Sequence, residues 1–191
     1  MSKLTKKAIV ASFVSLVSKK PLDKVTVKDI VEDCGITRNT FYYYFSDIYD
    51  IVDELLSGLG EEYDITHTGG WEKGFRKTMQ FALDNRRAVY NMYNSSRKNE
   101  LMVCINNAMT RLIERLIDEN PDSKGLSKKD KKLIVVFYRG AVVAYIVEWL
   151  DTGMKDSADE MIDRVLFLFE GSMDEAVKRA ANDPRCMNKR T

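Results

Sequence analysis

The chain has 191 residues, 45% of them hydrophobic and 31% charged, with 30 Lys and Arg against 29 Asp and Glu. Those proportions are ordinary for a soluble globular protein, and the length suits one compact unit or a small domain joined to a larger one. A net charge of +1 excludes any argument for a polyanionic partner from charge as a whole, so such an argument has to be local.

The chain starts MSKLTKKAIV, without the long apolar core of a signal peptide. Periodic helical patterns are common and alternating strand patterns scarce, so the fold reads as all-α, with about nine helices. The three prolines, Pro21, Pro121 and Pro184, fall at helix breaks. A first helix is expected over 4–19, with Ile9, Phe13, Leu16 and Val17 on one face. Thr26 is placed to cap a short second helix, with Asp29 three residues on as a capping-box partner. Ile30 and Val31 turn inward, Cys34 ends the helix, and Gly35 stands where a left-handed residue is wanted. Thr37 then caps a third helix over 38–45.

That third helix holds five aromatics in a row, Phe41 to Phe45. On a wheel of about 100° per residue, Phe41 and Phe45 lie one turn apart with Tyr44 beside them, and form a buried face. Asn39 and Tyr43 point away from it, with Arg38, Thr40 and Tyr42 on the flanks. A short helix, a glycine turn and a second short helix form a helix-turn-helix, whose second helix enters the major groove. Arg38 suits guanine and Asn39 suits adenine, while Thr40 suits phosphate or a thymine methyl. Tyr42 and Tyr43 supply hydroxyls for phosphate oxygens. Thr26 and Lys28 mark a helix start whose free amides attract phosphate. The competing reading is a helical adaptor that presents the same tyrosines to a protein partner. Residues 1–51 carry eight basic and six acidic side chains, weak for a DNA-binding surface, so a dimer would have to double that excess.

A fourth helix starts after Ser46 and Asp47, with Ile51, Val52, Leu55 and Leu56 as its stripe. The polar stretch from Gly58 to Gly70 reads as a connection. It contains His67, the only histidine, which alone makes no metal site. Further helices are expected over 71–84, 86–95 and 98–119, followed by a turn at ENPDSKG. Two long helices, 127–151 and 156–181, complete the chain. Trp71, Phe75, Met79, Tyr90, Tyr93, Met102, Ile105 and Met109 are core or pocket-lining candidates.

LIVVFYRGAVVAYIVEWL, residues 133–150, is apolar nearly all round. It reads as a buried helix and not a membrane span, because Arg139 lies near its centre. Val135, Val136, Val142 and Val143 surround Arg139, so its partner must come from another helix or from a ligand. Gly140 and Ala144 are small enough for close helix approach. With Val147, Met161, Val165, Phe169 and Met173 they make an expected dimer interface of four helices.

Cys34, Cys104 and Cys186 are far apart and form no CxxC pair, so they read as reduced thiols of a cytoplasmic protein. No cofactor or metal set stands out. No G-x-S-x-G, phosphate loop or HExxH occurs, so an enzyme is not expected.

TVKDIVEDCGITRNTFYYYFSDIYDIVDELL resembles the DNA-binding signature of the TetR family of bacterial transcriptional regulators. The resemblance covers about 45 residues: an apolar first helix, Thr-Val-x-x-Ile, Gly-Ile-Thr and Thr-Phe-Tyr-x-x-Phe. It implies an all-α homodimer on a palindromic operator in double-stranded DNA, acting as a repressor under a small-molecule or protein effector. It implies a DNA-binding domain over 1–50 and an effector and dimerisation domain over 51–191. It assigns the recognition helix start to Thr37, Arg38, Asn39 and Thr40, and a phosphate contact to Tyr42. Ile48 departs from the pattern, since a phosphate-binding lysine is common there. Lys3, Lys6, Lys7 and Lys28 are candidates to replace that charge. YRGAVVAYIVEWLDTGMKDSADEM resembles a subgroup with regulators of dihydroxyacetone kinase genes.

Overall fold

The computed structural model describes residues 3–61 and 70–183. Among these the chain is all-α, as its periodicity predicts, and no strand is formed. The elements are α1 (Lys3–Lys19), α2 (Val27–Cys34), α3 (Arg38–Tyr44), α4 (Ile48–Glu61), α5 (Gly70–Asp84), α6 (Arg86–Tyr93), α7 (Lys98–Glu119), α8 (Lys128–Asp151), α9 (Ala158–Phe169) and α10 (Ser172–Ala181). Single 3-10 turns at Leu22–Lys24 and Pro121–Gly125 join α1 to α2 and α7 to α8.

The residues divide into two compact units. The first holds α1 to α4 together with residues 77–105. Its core is built from Ile9, Phe13 and Val17 of α1, Ile30 and Val31 of α2, Phe41 and Phe45 at α3, and Ile48, Ile51 and Val52 of α4. Burying side chains of this size stabilises by about 1.5–3 kcal/mol each. Leu16, expected on the same face of α1, is only half-buried. α1 packs against α2, α4 and α6. Two polar ties hold α6 and the turn after it here. The Asn91 amide donates to the Val17 carbonyl at 2.6 Å, and the Ser96 hydroxyl donates to Asp23 at 2.9 Å.

The helix starts follow local chemistry. Thr26 Oγ1 accepts from the Asp29 amide at 3.2 Å, and the Thr26 amide donates to the Asp29 carboxylate at 2.8 Å, which completes the capping box. Gly35 closes α2 at φ 63°, a left-handed conformation that costs other residues about 1–2 kcal/mol. Asp47 accepts from the Tyr49 and Asp50 amides and starts α4. α4 continues through Gly58 and Gly60 to Glu61, beyond the expected boundary of the connection. His67, Pro184 and Cys186 lie outside the described residues.

Among the described residues the second unit holds 70–76 and 106–183. Ile113 and Ile117 of α7, Ile134 and Val135 of α8, and Val177 of α10 form its described core cluster, with Leu126, Tyr138, Met173 and Ala180 packed against them. α10 also packs on the Pro121–Gly125 turn. Gly125 allows the approach, because a Cβ there would lie 2.9 Å from the Ala181 carbonyl oxygen.

The helix expected over 156–181 is two helices. α9 ends at Phe169, and Gly171 at φ 68° redirects the chain into α10. Glycine inside a helical pattern weakens the helix without specifying where it breaks. The WLDTGMKDS stretch terminates α8: the Met154 amide donates to the Trp149 carbonyl at 2.8 Å, and the Trp149 indole donates to the Asp156 carbonyl at 3.1 Å. Met154 adopts φ 49° with its side chain buried, so packing offsets an unfavourable torsion.

Candidate nucleic-acid interface

α3 separates its residues by face as the wheel predicts. Phe41 and Phe45 are buried, whereas Tyr42 is 55% and Tyr43 72% exposed. Arg38 and Asn39 in the first turn are exposed, and Thr40 is half-buried. Thr37 Oγ1 accepts from the Thr40 amide at 3.1 Å, and the two threonine hydroxyls lie 2.9 Å apart. The cap therefore fixes the helix start and sets Arg38 and Asn39 beside it. Tyr42 meets the Phe41 ring edge to face at 5.5 Å, and Tyr43 meets Tyr44 at 5.0 Å. These contacts brace two rings that are otherwise largely exposed. Tyr44 is half-buried, and its hydroxyl is shut off from solvent without a hydrogen-bond partner.

Thr26 and Lys28 lie at the exposed start of α2. The side chain of Asp29 is committed to the capping box and to Lys20, whose Nζ lies 3.0 Å away. The Thr26 hydrogen bond, followed by that from Lys20, holds the Asp29 carboxyl down at about 2. Lys28 pairs with Glu32 at 3.7 Å across exposed surface, and Lys6 pairs with Glu54 at 2.7 Å. Lys7 is exposed, and the Lys3 side chain lies outside the described residues. Ile48 is buried at the start of α4. Lys6, Lys20 and Lys28 are thus each paired with a carboxylate, while Arg38 and Lys7 are exposed. Cys34 is half-buried, and its thiol donates to the Ala8 carbonyl at 3.6 Å.

The pocket candidates fall in both units. Met79, Tyr93 and Ile105 are buried in the first, where Tyr90 and Met102 are half-buried. In the second, Met109 is buried and Phe75 and Arg139 are half-buried. The Trp71 side chain lies outside the described residues.

α8 is long and apolar enough to cross a membrane by length and composition. It is not enclosed all round within the chain. One arc, Ile134, Val135, Val143, Ile146, Trp149 and Leu150, is buried. The opposite arc carries Leu133, Val136, Phe137 and Tyr145, all exposed, and Gly140, Ala141 and Ala144 between them. The end of α9 adds exposed Phe167, Leu168 and Phe169. Of the expected interface residues, Gly140, Ala144 and Phe169 are exposed, Val147, Val165 and Met173 half-buried, and Met161 is buried within its own chain. The exposed Leu133, Val136, Phe137, Tyr145 and Phe167 were not among the expected interface residues. The i, i+4 spacing of Leu133 and Phe137, continued by Ala141 and Tyr145, was the available signal.

Comparison with known proteins agrees with this architecture. A family model described as "Bacterial regulatory proteins, tetR family" matches residues 9–55, and one described as "Transcriptional regulator C-terminal region" matches residues 69–171. No curated protein matches the chain. Among solved structures, "Dihydroxyacetone kinase operon activator DhaS" aligns at a TM-score of 0.60 and 18% identity, over 91% of this chain and 98% of that one. A TetR transcriptional regulator from Streptococcus agalactiae 2603V aligns at a TM-score of 0.52 and 16% identity, over 87% and 93%. At these identities the likeness is one of fold.

Proposed function

The chain belongs to the tetR family of bacterial regulatory proteins and is a DNA-binding transcriptional regulator, and on that premise we propose that it represses transcription as a cytoplasmic homodimer on a palindromic operator. Residues 1–50 are the DNA-binding domain in this reading, and 51–191 bind an effector and dimerise. The observation that carries it is the division of α3: Phe41 and Phe45 root the helix, leaving Arg38, Asn39, Tyr42 and Tyr43 for the duplex. Arg38 and Asn39 read base edges, while Thr37, Thr40, Tyr42 and Tyr43 hold phosphates and sugars. The start of α2, with Thr26 and Lys28, holds the neighbouring phosphate.

The exposed arc of α8 and the end of α9 support dimerisation. Exposed apolar side chains gathered on one helix arc in this way fit an interface. A two-fold pair buries the same patch from both chains. It also sets two recognition helices about 34 Å apart, one turn of the duplex. An effector then favours one separation over another, and its affinity and that of the operator change reciprocally. A dimer spanning adjacent grooves denies that stretch to polymerase, which is the basis for repression.

Selection of bound fragments from random duplex DNA, followed by footprinting and a promoter reporter, tests the proposal. A palindrome with half-sites one turn apart should emerge. Its binding should weaken steeply as salt rises, and removing the regulator should raise reporter output. A failure to enrich any duplex at low ionic strength would refute the reading.

A further inference from the structure

We propose that Arg139 anchors a compact oxyanion, the phosphate or carboxylate of a small effector, between α7 and α8 in the second unit. The proposal rests on the reading of the chain as an effector-responsive regulator and names the chemical class of that effector.

Arg139 lies on the buried arc of α8, on the side of Val135 and Val143 and away from the exposed apolar arc. Its Nε is shut off from solvent and has no acceptor. Among the described residues its polar contact is one neutral group: Nη1 donates to Thr110 Oγ1 of α7 at 3.4 Å. That hydroxyl already donates to the Asn106 carbonyl at 2.8 Å, so only its lone pairs face the guanidinium.

The other half-buried arginine described in this unit is treated differently. Arg76, with a side chain 27% exposed, is clamped by the carboxylates of Asp159 and Asp163. Lys131 is likewise held by Asp118. Among the described residues the unit thus supplies carboxylates to Arg76 and Lys131 and none to Arg139. An arginine keeps its charge at any physiological pH. A guanidinium nitrogen withdrawn from water, as Nε is here, needs an acceptor. The planar fork of the guanidinium fits the paired oxygens of a carboxylate or phosphate. Because the residue retains partial exposure, a small anion reaches it without the core being opened. Such an anion would engage α7 through Thr110 and α8 through Arg139 together.

Thermal melting of the full chain tests this, in chloride and then with inorganic phosphate or acetate at matched ionic strength. The wild type should melt higher with phosphate or acetate than with chloride. Arg139→Met should melt at least as high as the wild type in chloride, because no ion pair is lost, and should lose the response. Arg139→Lys should respond with an apparent affinity about 10-fold weaker, since one ammonium replaces a two-pronged donor. Three outcomes would overturn the proposal: a wild type indifferent to both anions, an Arg139→Met response equal to wild type, or a clear drop in its melting point in chloride. If that variant does not fold, Arg139→Gln decides the same points. Operator binding without added anion is measured alongside. Intact DNA binding with no anion response removes this assignment alone, whereas no binding to any duplex removes the regulator reading itself.

Discussion

Phe137→Glu is the sharpest probe of the apolar arc on α8. In the single chain this phenylalanine is 68% exposed. A phenylalanine side chain presents about 200 Å² of surface, so about 140 Å² of it faces solvent here. Covering that area is worth about 3 kcal/mol at about 25 cal/mol per Å². In a two-fold dimer the residue is counted twice, giving about 6 kcal/mol. Association recovers only part of buried area as affinity, and halving the sum leaves about 3 kcal/mol, a loss of about 100-fold in dimer affinity. The glutamate adds desolvation of two like charges to that loss. The monomer should stay folded, because the substitution touches an exposed position. Sedimentation velocity across a concentration series measures the dimer affinity, and circular dichroism checks the helices. A dimer whose affinity changes by less than about 10-fold would show that this arc is not the contact surface.

Four further substitutions test other parts of the reading. Thr26→Ala should cost about 1 kcal/mol in urea melts by removing the α2 cap. Asp29 carries a carboxyl depressed to about 2 from 3.8, chiefly by the Thr26 hydrogen bond. Its stabilisation is therefore full above the ordinary value and is lost as pH falls toward 2, so the gap between wild type and Thr26→Ala should narrow through that window; a gap of constant size would contradict the capping box. Asn39→Ala should cost about 1–3 kcal/mol of preference at one base position, while Tyr42→Phe should weaken all duplexes alike; binding titrations against single-base operator variants separate the two, and unchanged preference in Asn39→Ala would overturn its base-reading role. Gly125→Ala should destabilise by about 1–3 kcal/mol, because its Cβ meets backbone and forces α10 off the 3-10 turn; a neutral effect in thermal melts would mean the α10 contact yields freely.

The helix-turn-helix was legible because its signals are local. Thr26 with Asp29, Gly35 and Thr37 each act within four residues, and the Phe41–Phe45 spacing is a single turn. The fate of α8 was not legible to the same depth. Its composition is apolar nearly all round, and periodicity cannot distinguish an arc covered by the same chain from one left open. The break at Gly171 was missed because its signal, one glycine, is shared with uninterrupted helices. The clamp of Arg76 by Asp159 and Asp163 joins residues more than eighty positions apart. Nothing in the spacing of those charges announces that they meet.

Ile48 carries a consequence for how this lineage could change. At the first residue of α4 this chain has sunk an aliphatic side chain into its interior. Replacing it with lysine would give up about 1–3 kcal/mol of hydrophobic stabilisation. A cation near this helix start is therefore gained at less cost at an exposed neighbour such as Asp50 than at the buried Ile48 itself, if the core is to be kept.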